Sequence, residues 1–106
     1  MEIEKGFYYH YKHDPSGPVE KYAYEFMGIG HHTEDDCRPE DAHMLVYRPI
    51  YPEAFVYQNG KMFDLRPIAM VLEPVTKDGK TFPRFQKIED PAIIAELVKM
   101  RDALYN

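Results

Sequence analysis

Apolar and polar positions change rhythm along this chain, and the rhythm separates two kinds of element. Residues 7–12 alternate as a strand does: Phe7, Tyr9 and Tyr11 fall on one side, expected to face the core, and Tyr8, His10 and Lys12 on the other, where a site would be. Residues 22–29 alternate again, with Tyr22, Tyr24 and Phe26 sharing a side. A third strand is predicted over 43–47, and MLVYRPIY carries it up to Pro49. The intervening HDPSGPVEK (13–21) holds two prolines and a glycine, which is turn chemistry. GHHTEDDCRPED (30–41) is polar, carries five carboxylates and reads as an exposed loop. Further on, 55–57 and 61–65 flank Asn59-Gly60, and 70–75 and 82–88 flank Asp78-Gly79. Both pairs supply the positive φ angles of a tight hairpin turn.

The tail switches to a helical period. Ile93, Leu97, Met100 and Leu104 form one stripe, widened by Ile94 and Val98. Asp90 can cap this helix and Pro91 suits its first turn. An amphipathic helix needs something to lie on, here part of the sheet or an open barrel end. A partner chain is the alternative. Many short strands with regular turn signals, then one helix, predict a single domain over 1–106. Its class is mainly β: a small antiparallel barrel-like (SH3-like) unit over 7–88, with one C-terminal amphipathic helix over 90–105.

Composition narrows the function classes. A chain of 106 residues has room for one modest core. Its net charge of -5 argues against a general binder of nucleic-acid backbones, although a small basic patch remains compatible with it. Tyrosine is abundant at nine copies, and such rings serve half-buried sheet faces and binding surfaces alike. The one cysteine, Cys37, allows no disulfide within the chain, which fits a reducing compartment or indifference to redox. The charged start, MEIEKGFYYH, lacks the apolar core of a secretory signal, and no apolar run approaches the ~18 residues of a membrane span. The expectation is a cytoplasmic protein with no membrane partner.

Several segments then stand together: YHYKH (9–13), GIGHHTE (28–34), LVYRPIY (45–51), LRPIAMVLE (65–73) and DGKTFPRF (78–85). In that order the chain resembles a bacterial family of short domains known only as a domain of unknown function. That family has a Tyr-x-His-Tyr-Lys-Gly start, a Gly-Ile-x-x-His-Ser/Thr-Glu loop and an Asp-Gly-Lys-x-x-Pro-Arg-Phe close. The resemblance covers roughly 7–88 and implies a small β-barrel-like domain, but no activity. Three departures stand out. His13 replaces the usual glycine, Asp64 stands where an aromatic is usual, and Val71 replaces a phenylalanine.

Candidate chemistry centres on His10, Lys12, His32, Tyr47, Arg66 and Arg84. Histidine can move protons near neutral pH, and two arginines can clamp a phosphate or carboxylate. The same residues could instead tie strands together, with Arg84 paired to an acid such as Glu73. Arg48-Pro49, Arg66-Pro67 and Pro83-Arg84 read as strand ends, since proline removes a ladder donor. The five histidines with Cys37, Glu34, Asp35 and Asp36 are numerous enough for zinc, but adjacent histidines rarely reach one ion. No metal and no cofactor is expected. Nucleophile motifs, glycine-rich phosphate loops and dinucleotide fingerprints are missing from the sequence. The expectation is a binding domain for a small anionic or nucleotide-like ligand. The alternatives are a small hydrolase or metal-dependent enzyme using His10 and His32, and a protein-interaction module using a sheet edge or the helix stripe.

Overall fold

The computed structural model describes residues 3–51 and 63–105. Five strands, β1 (Gly6–His10), β2 (Ala23–His31), β3 (His43–Pro49), β4 (Asp64–Pro67) and β7 (Phe85–Lys87), form one antiparallel sheet in the order β4-β3-β2-β1-β7. A short helix α1 (Ile68–Leu72), a hairpin of β5 (Val75–Lys77) and β6 (Lys80–Phe82), and a long helix α2 (Pro91–Tyr105) complete it. The barrel-like expectation is corrected. Among the described residues β4 and β7 are both edges, so the sheet stays open. Both are short, and β4 ends at a proline that cannot extend a ladder.

Local chemistry explains most elements. The Asp78-Gly79 turn has φ of 53° and 76°, the two positive angles of a type I′ turn, and Thr76 and Thr81 face each other across the hairpin at 3.0 Å. The expected strand over 70–75 is instead split. The run after Pro67 forms α1, burying Val71, and only Val75 onward is extended. The Asn59-Gly60 hairpin lies outside the described residues. At the start of α2 the Asp90 carboxylate accepts from the Ala92 N–H at 2.9 Å, as a cap should.

The sheet has two buried faces. On the helix face, Phe7, Ala23, Ile50, Ile88 and Leu97 form one core, with Ile93, Ile94, Val98 and Met100 packed against it. The α2 stripe is therefore covered by its own sheet. A charged clasp fastens it: Glu25 bridges Arg48 at 3.0 Å and Arg101 at 2.8 Å, and the Arg48 guanidinium lies 4.1 Å from the Tyr105 ring centre. On the opposite face, Tyr8, Phe26, Leu45, Tyr47, Val71 and Phe85 form a second core, largely of rings. Tyr8 was expected on the site side of β1, yet it is as buried as Phe7. Its ring stacks on Phe26 at 3.8 Å, and its hydroxyl donates to the Glu4 carbonyl.

Two stability outcomes follow. Leu97→Ala empties a fully buried position and is expected to cost about 2–5 kcal/mol in urea unfolding. Glu25→Ala leaves two guanidiniums facing each other under α2. Its expected cost is about 2–4 kcal/mol, below the fully buried limit because Arg101 keeps some solvent. A loss under about 0.5 kcal/mol would mean the clasp is a solvated surface pair.

Candidate functional site

The ring face is paved outward from its core by an unbroken series of aromatic contacts. Phe85 meets Phe26 at 5.3 Å, Tyr24 at 5.7 Å and His10 at 5.2 Å. His10 in turn meets Tyr11 at 4.4 Å and Tyr22 at 5.7 Å. Tyr51 closes the series against Tyr24 at 5.8 Å and Tyr22 at 6.4 Å, and the Tyr24 and Tyr51 hydroxyls are 3.0 Å apart. Tyr8, Phe26, Tyr47 and Phe85 are buried, whereas His10, Tyr11, Tyr22, Tyr24 and Tyr51 keep part of their surface in solvent. Register explains the placement. His10 pairs Phe85 at the end of β1, Phe26 pairs Tyr47, and Leu45 pairs Arg66. Cross-strand partners share a face.

Cations ring this surface. Arg66 Nε donates to the Tyr47 hydroxyl at 3.3 Å. Arg84, just before β7, has its Nε buried without a hydrogen-bond partner. No salt bridge joins it to Glu73 or another carboxylate among the described residues. The Lys21 ammonium lies 5.8 Å from the Tyr22 ring centre and 5.4 Å from that of Tyr51. Burial, with lesser repulsion from Lys12, Arg84 and Arg66, lowers the His10 pKa from 6.5 to about 4. His10 is thus neutral at physiological pH. The Lys12 N–H donates to its Nδ1 at 3.2 Å, which assigns the proton to Nε2 and makes that atom a donor.

Of the six residues read from the sequence, His10, Tyr47, Arg66 and Arg84 come together here. Lys12 stands exposed at the rim, close enough to act on His10. His32 does not join them. It follows the far end of the nine-residue β2, whose start lies beside His10, so about 30 Å of strand separates the two. There its Nδ1 accepts from the Glu34 N–H at 3.4 Å. No group of three metal-ligating side chains converges among the described residues. Four rings of the face were not among the six: Tyr11, Tyr22, Tyr24 and Tyr51. The parity of Tyr22 and Tyr24 with Phe26 was the signal for two of them, and Tyr11 and Tyr51 stand in the YHYKH and LVYRPIY segments.

A separate cavity of about 500 Å³ opens where the 11–19 turn approaches β6 and α2. Tyr9, Tyr11, His13, Phe82 and Gln86 line it, and His10 borders it as well. Its walls are tied inward, with the Tyr9 hydroxyl donating to the Val19 carbonyl at 2.6 Å. His10 is therefore shared by the cavity and the ring face.

The lowered His10 pKa makes a pH statement. The unfolded chain takes up the proton first, so the stabilisation from a neutral His10 is fully present above about pH 6.5 and is lost as pH falls towards 4. An NMR titration of the His10 ring is expected to show a midpoint near 4, and His10→Gln to flatten that part of the stability profile. A midpoint near 6.5 would show that neither burial nor the arginines act on it.

No curated protein and no solved structure matches the chain. A family model described as "Protein of unknown function (DUF1653)" matches residues 6–87, which run from the first residue of β1 to the last of β7 and leave α2 outside. Because that match spans most of the molecule and the whole sheet, the chain belongs to the DUF1653 family of proteins of unknown function.

Proposed function

We propose that this protein is a small binding domain whose ring face takes a small anionic, nucleotide-like ligand. The observation that carries the reading is Arg84, whose buried Nε has no partner, beside Arg66 and a neutral His10 on an aromatic surface. The Nε itself is sealed from solvent, so an oxyanion would pair with the terminal nitrogens of the same guanidinium, a charge-assisted contact that stabilises a cation held in this half-buried place. Arg66, Lys12 and the His10 Nε2–H add donors and charge around the same point. The face offers donors and rings, but no activated nucleophile.

The hydrolase alternative needs His10 and His32 to share a substrate, and the length of β2 argues against it. The interaction-module alternative drew on a sheet edge or the helix stripe; the stripe packs on the sheet, and the edge strands β4 and β7 offer 4 and 3 residues for pairing. A polynucleotide partner is disfavoured by the net charge of -5. A location in the cytoplasm suits a ligand of this kind.

Titration calorimetry with inorganic phosphate and with nucleoside monophosphates tests the proposal. Binding is expected, and Arg84→Ala and Arg66→Ala are each expected to weaken it about ten- to a hundredfold, the worth of a charge-assisted hydrogen bond. Failure of every anion to bind, or full affinity in both variants, would sink the reading.

A further inference from the structure

Tyr22 stands in a backbone conformation that its side chain disfavours. Its φ is +60°, in the left-handed region, where a bulky residue is a genuine outlier. The neighbourhood holds it there: the His10 N–H donates to the Tyr22 carbonyl at 3.0 Å, and the Ala23 N–H to the Glu20 carbonyl at 3.0 Å. A glycine would adopt this angle without strain. The ring that the strain positions is half-buried, not packed into the core. It lies near-parallel to His10, at 28° and 5.7 Å, and leans against Tyr51. Residues kept in costly conformations gather at ligand sites, where the gain lies in what the side chain does.

Resting on the reading above, we infer that Tyr22, with His10 and Tyr51, is a stacking shelf for a planar heteroaromatic base, so that the ligand is a nucleoside monophosphate and not a bare phosphate or sugar phosphate. The shelf and the anion site are neighbours through His10, which touches Tyr22 and feels both Arg66 and Arg84. The Lys21 ammonium lies over the Tyr22 and Tyr51 rings at 5.8 Å and 5.4 Å, so a stacking base would displace it, and the phosphate attached to that base is an anion it could turn to. The rings contribute face area with little side-chain freedom to lose, which suits a flat, uncharged partner. The Tyr24–Tyr51 hydroxyl pair lies at the inner margin and can exchange hydrogen bonds with the edge of a base. Free nucleotides fit better than a strand, because the carboxylates that make the chain acidic would repel a long phosphate backbone.

The test compares inorganic phosphate, ribose 5-phosphate and the common nucleoside monophosphates on wild type, Tyr22→Gly, Tyr22→Phe and Tyr11→Ala. Wild type is expected to prefer nucleotides over ribose 5-phosphate by roughly tenfold or more, the usual worth of one stacked base. Tyr22→Phe should keep that preference. Tyr22→Gly should lose it while binding phosphate as before, and its melting temperature should hold or rise, because strain is relieved. That pairing separates a lost shelf from a damaged fold. Equal affinity for phosphate and nucleotides in wild type overturns the inference and leaves the anion site standing. Loss of the preference in Tyr11→Ala but not in Tyr22→Gly also overturns it, and puts the base in the neighbouring cavity. Binding of nothing overturns both readings together.

Discussion

Phe7 and Tyr8 are neighbours in β1, point to opposite faces of the sheet, and are both buried. That pair states the constraint on which the molecule is built: a central sheet with two apolar faces must find two covers from one short chain. The helix face receives a dedicated cover. Asp90 starts α2, its stripe packs on Ala23, Ile50 and Phe7, and the Glu25 clasp sets how it lies across β2 and β3. The ring face receives less. Among the described residues it has α1, with Val71 as its one buried residue, coming across from β4, and Ile3 from the segment before β1. The rest of that face must cover itself. It does so with wide side chains whose inner members pack and whose outer members carry hydroxyl or imidazole tips that tolerate water. A surface of half-buried rings with polar tips is the physical result of having one long helix and two faces.

The charge distribution follows the same division. The chain is acidic overall, yet four of its 13 lysines and arginines, Lys12, Lys21, Arg66 and Arg84, stand around His10, Tyr22 and Tyr51. Glu34, Asp35 and Asp36 are in the exposed turn beyond the far end of β2, and Glu25 is engaged under α2. At physiological salt, charges separated by more than about 8 Å are largely screened when they are exposed to solvent. The acidic turn therefore does little to offset the guanidiniums near His10. Asp64, whose charge is felt at Tyr24, is closer and offsets part of them, so the local balance near His10 is set by these few groups more than by the overall charge.

Much of the fold was legible because local signals were strong. Alternation marked β1, β2 and β3, Asp78-Gly79 marked a turn whose angles require such residues, and Asp90-Pro91 marked the start of α2. The losses have physical causes. IAMVL after Pro67 is an unbroken apolar run, and such a run carries no period that separates a strand from a helix. Closure into a barrel depends on how long the edge strands are, and the prolines at 67 and 83 that marked strand ends already set β4 and β7 short. The assignment of one face of β1 to the core and the other to a site assumed a sheet covered once. Cover on both sides buries Tyr8 and moves the exposed surface outward to His10 and Tyr22. His32 failed for a simpler reason. Two residues can sit on matched motif positions and still lie at opposite ends of one strand. The arginines were legible as strand-end residues next to prolines, and that is where they stand: Arg66 and Arg84 turn to the ring face, whereas Arg48 turns to Glu25 under α2.

The protonation of His10 divides the labour on that face. A charged imidazole there would add a third positive group beside Arg66 and Arg84 and would have to be solvated in a half-buried setting, so the proton is lost well below neutrality. What remains is a directional group. Nδ1 is occupied by the Lys12 N–H, which leaves Nε2–H as a donor. The guanidiniums, the ammoniums and this N–H can only donate. A surface rich in donors beside stacked rings discriminates by what it lacks. A cationic or donor-rich ligand would add repulsion beside Arg66 and Arg84, whereas an oxyanion can accept from several donors at once. On the proposed reading, a preference of the face for an acceptor-rich, flat ligand would rest on the tautomer of one histidine and the guanidinium of one arginine.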